Sequence, residues 1–268
     1  MGGIKKSGSA VKIAFFDVDG TLLPLGVTEP SDKIIYALGE LQKNGVILCM
    51  ATGRGVLTIP KLKGIDFDAY ITFNGSYCFT GEKLIRSCPI PRNDFLQILE
   101  NAKRMGRAIV ISNEKFIVAN GMDEDLETYF SFGGTVPVID EEFDSKCSDE
   151  IYQIMLSCVS SEYDEILRGT HGTAVVSWWD KAVDLIPSES GKGGAVKSVL
   201  EYYGFSAQEA IAFGDGRNDL EMLGAVGTGI AMGNAGEDVK SVADDTCKNV
   251  EDDGIYYYCV EKGLIQPI

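Results

Sequence analysis

The stretch FFDVDGTLLP, residues 15–24, sets Asp17 and Asp19 one residue apart directly behind an apolar run, with Gly20 next. The run, VKIAFF, is apolar without polar alternation, the mark of a strand buried on both faces as in a parallel sheet. Along extended chain, residues i and i+2 point the same way. The two carboxylates would therefore repel, and one would have to take up a proton unless something positive stood beside them.

Four further runs share this character: GVILCMA, DAYITF, EAIAFG and GTGIAM. SDKIIYALGELQKNG and RGVLTIPKLKG separate the first three strands, and RNDLEMLGAV separates the last two; all three read as helices. Strands alternating with helices predict a parallel sheet covered on both sides. Residues 83–187 read differently. A helix, PRNDFLQILENAKRMG, precedes the paired strands RAIVISN and KFIVAN with Glu114 at their turn. An acidic helix from Asp123, the strand EIYQIMLSCV, the helix SEYDEILRG and the strands TAVVSWW and KAVDLIP follow. The expectation is an α/β, Rossmann-like parallel-sheet core formed by residues 1–82 and 188–268, interrupted by an α+β cap over 83–187.

Ligands of an open parallel sheet bind beyond the carboxyl ends of its strands. After the first strand come Asp17 and Asp19; after the second, Thr52, Gly53 and Arg54; after the third, Asn74 and Gly75. Ser188 to Lys192 precede the helix leading to the fourth strand, and Asp215, Asn218 and Asp219 follow that strand. Taken singly, each has a plainer reading: an acidic turn for DxDG, a helix N-cap for Thr52, a solvated helix residue for Lys192, turn and helix-start charges for Asp215 and Asp219. Their occurrence in order at the strand ends sets those readings aside. Carboxylates, hydroxyls and amides without a convergent His or Cys make an oxygen-only shell suited to Mg²⁺.

The formal charge of −16 leaves no basic stripe for nucleic acid or an anionic membrane. It also requires that positive charge for an anionic substrate be supplied locally, by metal and Lys192. The seven cysteines form no CxxC pair and read as reduced, mostly buried thiols. No apolar run is long enough for a membrane span. MGGIKKSGSA reads as a loose leader to a cytoplasmic protein, and Lys6 stands where a myristoylation motif needs Ser or Thr. His171, the single histidine, reads as an exposed turn residue, and of Trp178 and Trp179 one is expected in the cap core. GTGIAMG has the wrong spacing for a dinucleotide fingerprint. SGKGG lacks the first glycine and the final Ser or Thr of a phosphate loop.

The ordered set DVDGT, ATGR, the lysine of SGKGG and GDGRND resembles the four motifs of the haloacid dehalogenase-like hydrolases. NG at 74–75, AMGNA at 231–235 and the place of the insert are similar to the Cof-like sugar-phosphatase branch with a type IIB cap. The resemblance implies a Mg²⁺-dependent phosphatase of small phosphorylated metabolites, sugar phosphates foremost. Asp17 would be the nucleophile, forming an aspartyl-phosphate, and Asp19 the proton donor and acceptor. The backbone carbonyl of Asp19 with the carboxylates of Asp17 and Asp215 would hold Mg²⁺. Lys192 and the metal would neutralise charge. Thr52, Gly53, Arg54, Asn74 and Asn218 would receive the substrate, Asp219 would orient Lys192 or a metal-bound water, and Gly20 would permit the turn after Asp19. Asp19 stands against a true dehalogenase. A sugar phosphomutase of the same superfamily and a non-catalytic sensor of phosphorylated metabolites are the rival functions.

Overall fold

The first strand, β1 (Ile13–Phe16), is buried at all four positions, and Asp17 follows at its carboxyl end. The fold around it is described from a computed structural model covering residues 11–81, 83–132, 134 and 136–268, less the side chain of Trp178. The leader expected over residues 1–10 and any role of the Trp178 side chain lie outside the described residues.

From β1 the chain runs through α1 (Asp32–Lys43), β2 (Ile47–Ala51) and β3 (Ala69–Thr72) to a hairpin of β4 (Tyr77–Thr80) and β5 (Lys83–Ser87). An insert follows: α2 (Arg92–Met105), β6 (Ile109–Ser112), β7 (Ile117–Ala119), α3 (Glu124–Phe132), β8 (Val138–Ile139), α4 (Phe143–Lys146), β9 (Gln153–Ser157), α5 (Tyr163–Ile166), β10 (Thr173–Trp179) and β11 (Ala182–Pro187). The chain returns through α6 (Lys192–Tyr203), β12 (Ala210–Gly214), α7 (Leu220–Ala225), β13 (Thr228–Ala231), α8 (Glu237–Lys240), β14 (Asp245–Thr246) and α9 (Gly254–Glu261).

The main sheet has the order β14-β13-β12-β1-β2-β3-β4-β5, parallel from β14 to β3 and antiparallel at the β4–β5 edge. The chain leaves β1 toward β2 and later returns to its other flank as β12. The strand order therefore reverses at β1, and a crevice opens at its carboxyl end, where Asp17 stands. One face is covered by α1 and α9. Helix α1 is capped by Ser31, whose hydroxyl accepts from the Ile34 N–H at 3.2 Å, and buries Ile34, Ala37, Leu38 and Leu41 on one stripe. The other face is covered by α6 and α7, through Val196, Val199, Met222 and Leu223.

The insert builds its own sheet, β10-β11-β9-β6-β7-β8, with separate apolar clusters under α2 and α5 and under α3. The expected join at 82–83 falls inside the β4–β5 hairpin, and Lys83–Ser87 stays on the edge of the main sheet. Tyr152, just before β9, ties the two sheets together by stacking on Phe73 at 5.6 Å and meeting Tyr77 edge-on at 5.1 Å.

RGVLTIPKLKG departs from expectation. It forms only a single 3₁₀ turn, Val56–Thr58, because Pro60 cannot sit in a helix interior and the residue before it is driven to extended geometry. With no helix there, Thr52 is not an N-cap; its hydroxyl accepts from the Arg54 N–H at 3.0 Å, a local Thr turn. His171 is exposed, its backbone N–H held by Asp94. Trp179 is half-buried and packs edge-on to Phe132. The cysteines are free thiols: Cys49, Cys78, Cys147, Cys158 and Cys259 are buried, and burial pushes the Cys78 thiol up to about 12. Among the described residues no helix is long and apolar enough to cross a membrane.

Candidate active site

The strand ends converge as the sequence order suggests. Lys192, the first residue of α6, is 1% exposed; its ammonium donates to Asp17 Oδ1 at 2.5 Å and to Asp219 Oδ1 at 2.6 Å. Asp219 spends its other oxygen on the backbone N–H groups of Asp215 and Gly216, at 3.1 and 2.9 Å. Both its oxygens are thus committed to shaping the loop after β12 and aiming the lysine. Asp215 is held by Thr21, whose hydroxyl donates at 2.8 Å, and by the Asn234 amide at 3.3 Å. The same Asn234 amide donates to the Gly20 carbonyl at 2.9 Å.

Gly20 has φ +86°, and a Cβ there would lie 2.2 Å from Asp215 Oδ2. Glycine is required both by the left-handed turn and by the approach of the two acidic loops. Across the crevice Arg54 grips Asp19 bidentately, Nε to Oδ2 at 2.9 Å and Nη2 to Oδ1 at 2.6 Å. Thr52 is buried with its N–H donating to the Ile71 carbonyl, and the Gly53 backbone lies against the Asn74 amide. Asn74 Oδ1 accepts from Asn218 Nδ2 at 3.0 Å. The strand-end residues Asp17, Asp19, Thr52, Gly53, Arg54, Asn74, Lys192, Asp215, Asn218 and Asp219 therefore lie in one linked set of contacts at this edge of the sheet.

Charge is unbalanced. Burial pushes the Asp17 carboxyl well above the ordinary carboxylate range, and the neighbouring Asp219 pushes it further, against the pull of Lys192. Burial likewise raises Asp215 to about 7, opposed by the Thr21 bond and reinforced by Asp219. Burial alone would lower Lys192, but Asp17 and Asp219 overcome it and raise the ammonium. The raised acids and the raised lysine describe one condition: a single cation cannot satisfy three carboxylates.

One oxygen each from Asp17, Asp215 and Asp219 lie within 4.8 Å of one another. The donor set is oxygen only; Asp17 Oδ2 is clear of Lys192, and the oxygens of Asp215 are met only by the neutral Thr21 hydroxyl and Asn234 amide. It fits a hard divalent cation held chiefly by Asp17 and Asp215. Thr21 and Asn234, which fix Asp215, were not singled out from the sequence. Both follow the ends of core strands, so the rule that found the other residues would have reached them.

A profile of the haloacid dehalogenase-like hydrolases matches residues 14–259. This chain is a haloacid dehalogenase-like hydrolase. It is 32% identical to the putative phosphatase YkrA of Bacillus subtilis, over 95% of this chain and 99% of that protein. It is 28% identical to the HMP-PP phosphatase of Klebsiella pneumoniae, over 86% of this chain and 87% of that one. The solved subclass IIB sugar phosphatase BT4131 superposes with a TM-score of 0.83 at 27% identity, over 95% of this chain and all of that structure. The haloacid dehalogenase-like fold, with its parallel core sheet and inserted α+β unit, is thus established, and the enzyme is a phosphatase of this family.

Proposed function

We propose that this phosphatase hydrolyses small phosphorylated metabolites, sugar phosphates foremost, by Mg²⁺-dependent transfer of the phosphoryl group to Asp17. The observation that carries the reading is the pairing of a buried Asp17 with the buried ammonium of Lys192, 2.5 Å away, beside Asp215. A carboxylate attacks a phosphate dianion only where the charge of both is offset. The sugar substrate is supported by the likeness to a subclass IIB sugar phosphatase.

In this reading Asp17 Oδ2, the oxygen not bonded to Lys192, attacks phosphorus in line with the leaving oxygen. Asp19 protonates that oxygen and then takes the proton of the water that cleaves the aspartyl-phosphate. Arg54 orients Asp19; as the substrate enters and that pair parts, Asp19 takes up a proton from solvent, gives it to the leaving oxygen and regains one from the attacking water. Thr52, Gly53 and Asn218 receive the phosphoryl oxygens. Asp219 keeps Lys192 on Asp17. Asp17, Asp215 and the Asp19 carbonyl would hold Mg²⁺, which supplies Lewis-acid polarisation of the phosphoryl oxygens.

The unit built on residues 92–187 serves as the cap that closes over the phosphate pocket and reads the remainder of the substrate. Net charge of −16 disfavours nucleic acid and anionic membrane as partners, in keeping with action on free metabolites. The test is phosphate release from p-nitrophenyl phosphate and from hexose monophosphates with and without Mg²⁺. Mg²⁺-dependent release, lost in Asp17→Asn, is expected. Isomerised sugar phosphate without net release would favour a mutase, and no Mg²⁺-dependent turnover at all would overturn the reading.

A further inference from the structure

Asp184, in cap strand β11, is 3% exposed and takes no part in the chemistry above. The groups acting on it are Tyr129 of α3, whose hydroxyl donates at 2.5 Å, Gln153 of β9, and Asn74 of the core, whose Nδ2 donates at 3.5 Å. None of these is charged. Burial raises the carboxyl to about 7, and the three bonds pull it back. A carboxylate is a costly group to place there; a neutral side chain would be cheaper to bury.

What a carboxylate supplies, and an amide does not, is two oxygens that only accept. Facing Asp184, the Asn74 amide must turn its NH₂ toward the cap, which leaves its Oδ1 facing Asn218. Asn218 must then offer an N–H to Asn74, as it does at 3.0 Å, and its second N–H is left for the phosphate pocket. The loop carrying Asn74 is itself held under constraint. Phe73, Asn74 and Gly75 all have positive φ, 50°, 53° and 97°, and such conformations in non-glycine residues persist only where the surroundings impose them. The Phe73 N–H donates to the Arg54 carbonyl, the Asn74 N–H donates to the Thr52 carbonyl, and Gly75 abuts Gly191, one residue before Lys192.

We propose that Asp184 is a positioning residue for the phosphatase reaction, fixing from the cap the orientation of the Asn74 and Asn218 amides so that the phosphate pocket is complete only with the cap docked. At 3.5 Å the Asn74–Asp184 contact lies at the long end of the hydrogen-bond range. This rests on the phosphatase reading of the site.

The experiment is steady-state hydrolysis of acetyl phosphate, which carries no sugar for the cap to contact, and of a hexose monophosphate, by the whole enzyme with Mg²⁺. Asp184→Asn presents a donor where the wild type presents only acceptors; it is expected to lower kcat about tenfold on both substrates, the effect of one misdirected hydrogen bond. Asn74→Ala is expected to lower kcat comparably, and the double variant to be no slower than the slower single, because both act through one amide. Asp184→Ser, which empties the position instead of reversing it, replaces Asp184→Asn should that protein not fold. The inference is overturned by multiplicative losses in the double variant, by a change confined to KM for the sugar phosphate, or by a lowered unfolding temperature with unchanged kcat. A wild type inactive on both substrates takes down the phosphatase reading itself; an active wild type with an equally active Asp184→Asn takes down this inference alone.

Discussion

Asp215→Asn should make the metal-free protein more stable and deprive it of its response to Mg²⁺. Asp215 rises from an ordinary 3.8 to about 7 in the fold. The native state therefore keeps a proton that the unfolded chain gives up between about pH 4 and 7, and stability falls as pH rises through that window. At about 1.4 kcal/mol per pKa unit, the cost above pH 7 is about 4 kcal/mol. Asparagine keeps the Thr21 bond but turns an N–H toward Asn234, a loss of about 1 kcal/mol. The net gain at pH 8 is about 3 kcal/mol, roughly 6–12 °C for a chain of this size. At pH 4 the gain should vanish, because the native carboxyl is then protonated and the unfolded one nearly half protonated, which leaves a cost smaller than that of the lost bond. In the wild type, Mg²⁺ at a hundred times its dissociation constant should restore about 2.7 kcal/mol, and in the variant almost nothing. Thermal unfolding of both proteins at pH 4 and pH 8, with EDTA or with Mg²⁺, reads all four states. A variant less stable than wild type at pH 8 in EDTA, or an equal rise of both with Mg²⁺, would refute the assignment of Asp215 as a strained metal ligand.

Lys192→Met leaves Asp17 and Asp219 buried without their cation and should cost about 3–5 kcal/mol in urea unfolding at pH 8, with phosphate release abolished; a loss under about 1 kcal/mol would contradict the pairing of one buried ammonium with two buried carboxylates. Gly75→Ala forces a Cβ to 2.3 Å from the Gly191 carbonyl oxygen at φ +97°, so it should displace the start of α6 and lower kcat at least about tenfold, which steady-state kinetics would show. Asp184, raised to about 7, predicts that the stability of wild type relative to Asp184→Asn falls as pH rises from about 4 to 7 and levels off above that; paired unfolding curves at pH 4.5, 6 and 7.5 would reveal a flat difference if the carboxyl were not buried as described.

The core was legible because its strands carry uninterrupted apolar runs and its chemistry sits at their ends. IAFF, ILCMA and AIAFG are strands within a residue or two of their expected limits, and Asp17, Lys192, Asp215 and Asp219 meet although up to 202 positions separate them along the chain. Residues 54–64 have apolar spacing that suits a helix, yet Pro60 overrides it, and a breaker of that kind outweighs periodicity. The β4–β5 hairpin escaped because YCFT and KLIRS are short, and β5 is largely exposed, so neither shows a full period. Asp184 stayed hidden in KAVDLIP because a single acidic residue in an apolar strand looks like the solvent-facing position of an edge; only the topology, with β11 flanked by β9 and β10, reveals that it is inside. The pairing of Arg54 with Asp19 was equally beyond a linear reading, since it depends on two loops crossing the crevice.

The central claim is that Asp17 carries the phosphoryl group. Rapid acid quench of the enzyme turning over acetyl phosphate with Mg²⁺, followed by peptide mass spectrometry, tests it directly. One added phosphoryl group is expected on the peptide containing Asp17, absent in Asp17→Asn and without Mg²⁺. Phosphate release at full rate from an enzyme whose Asp17 peptide never gains that mass would contradict it.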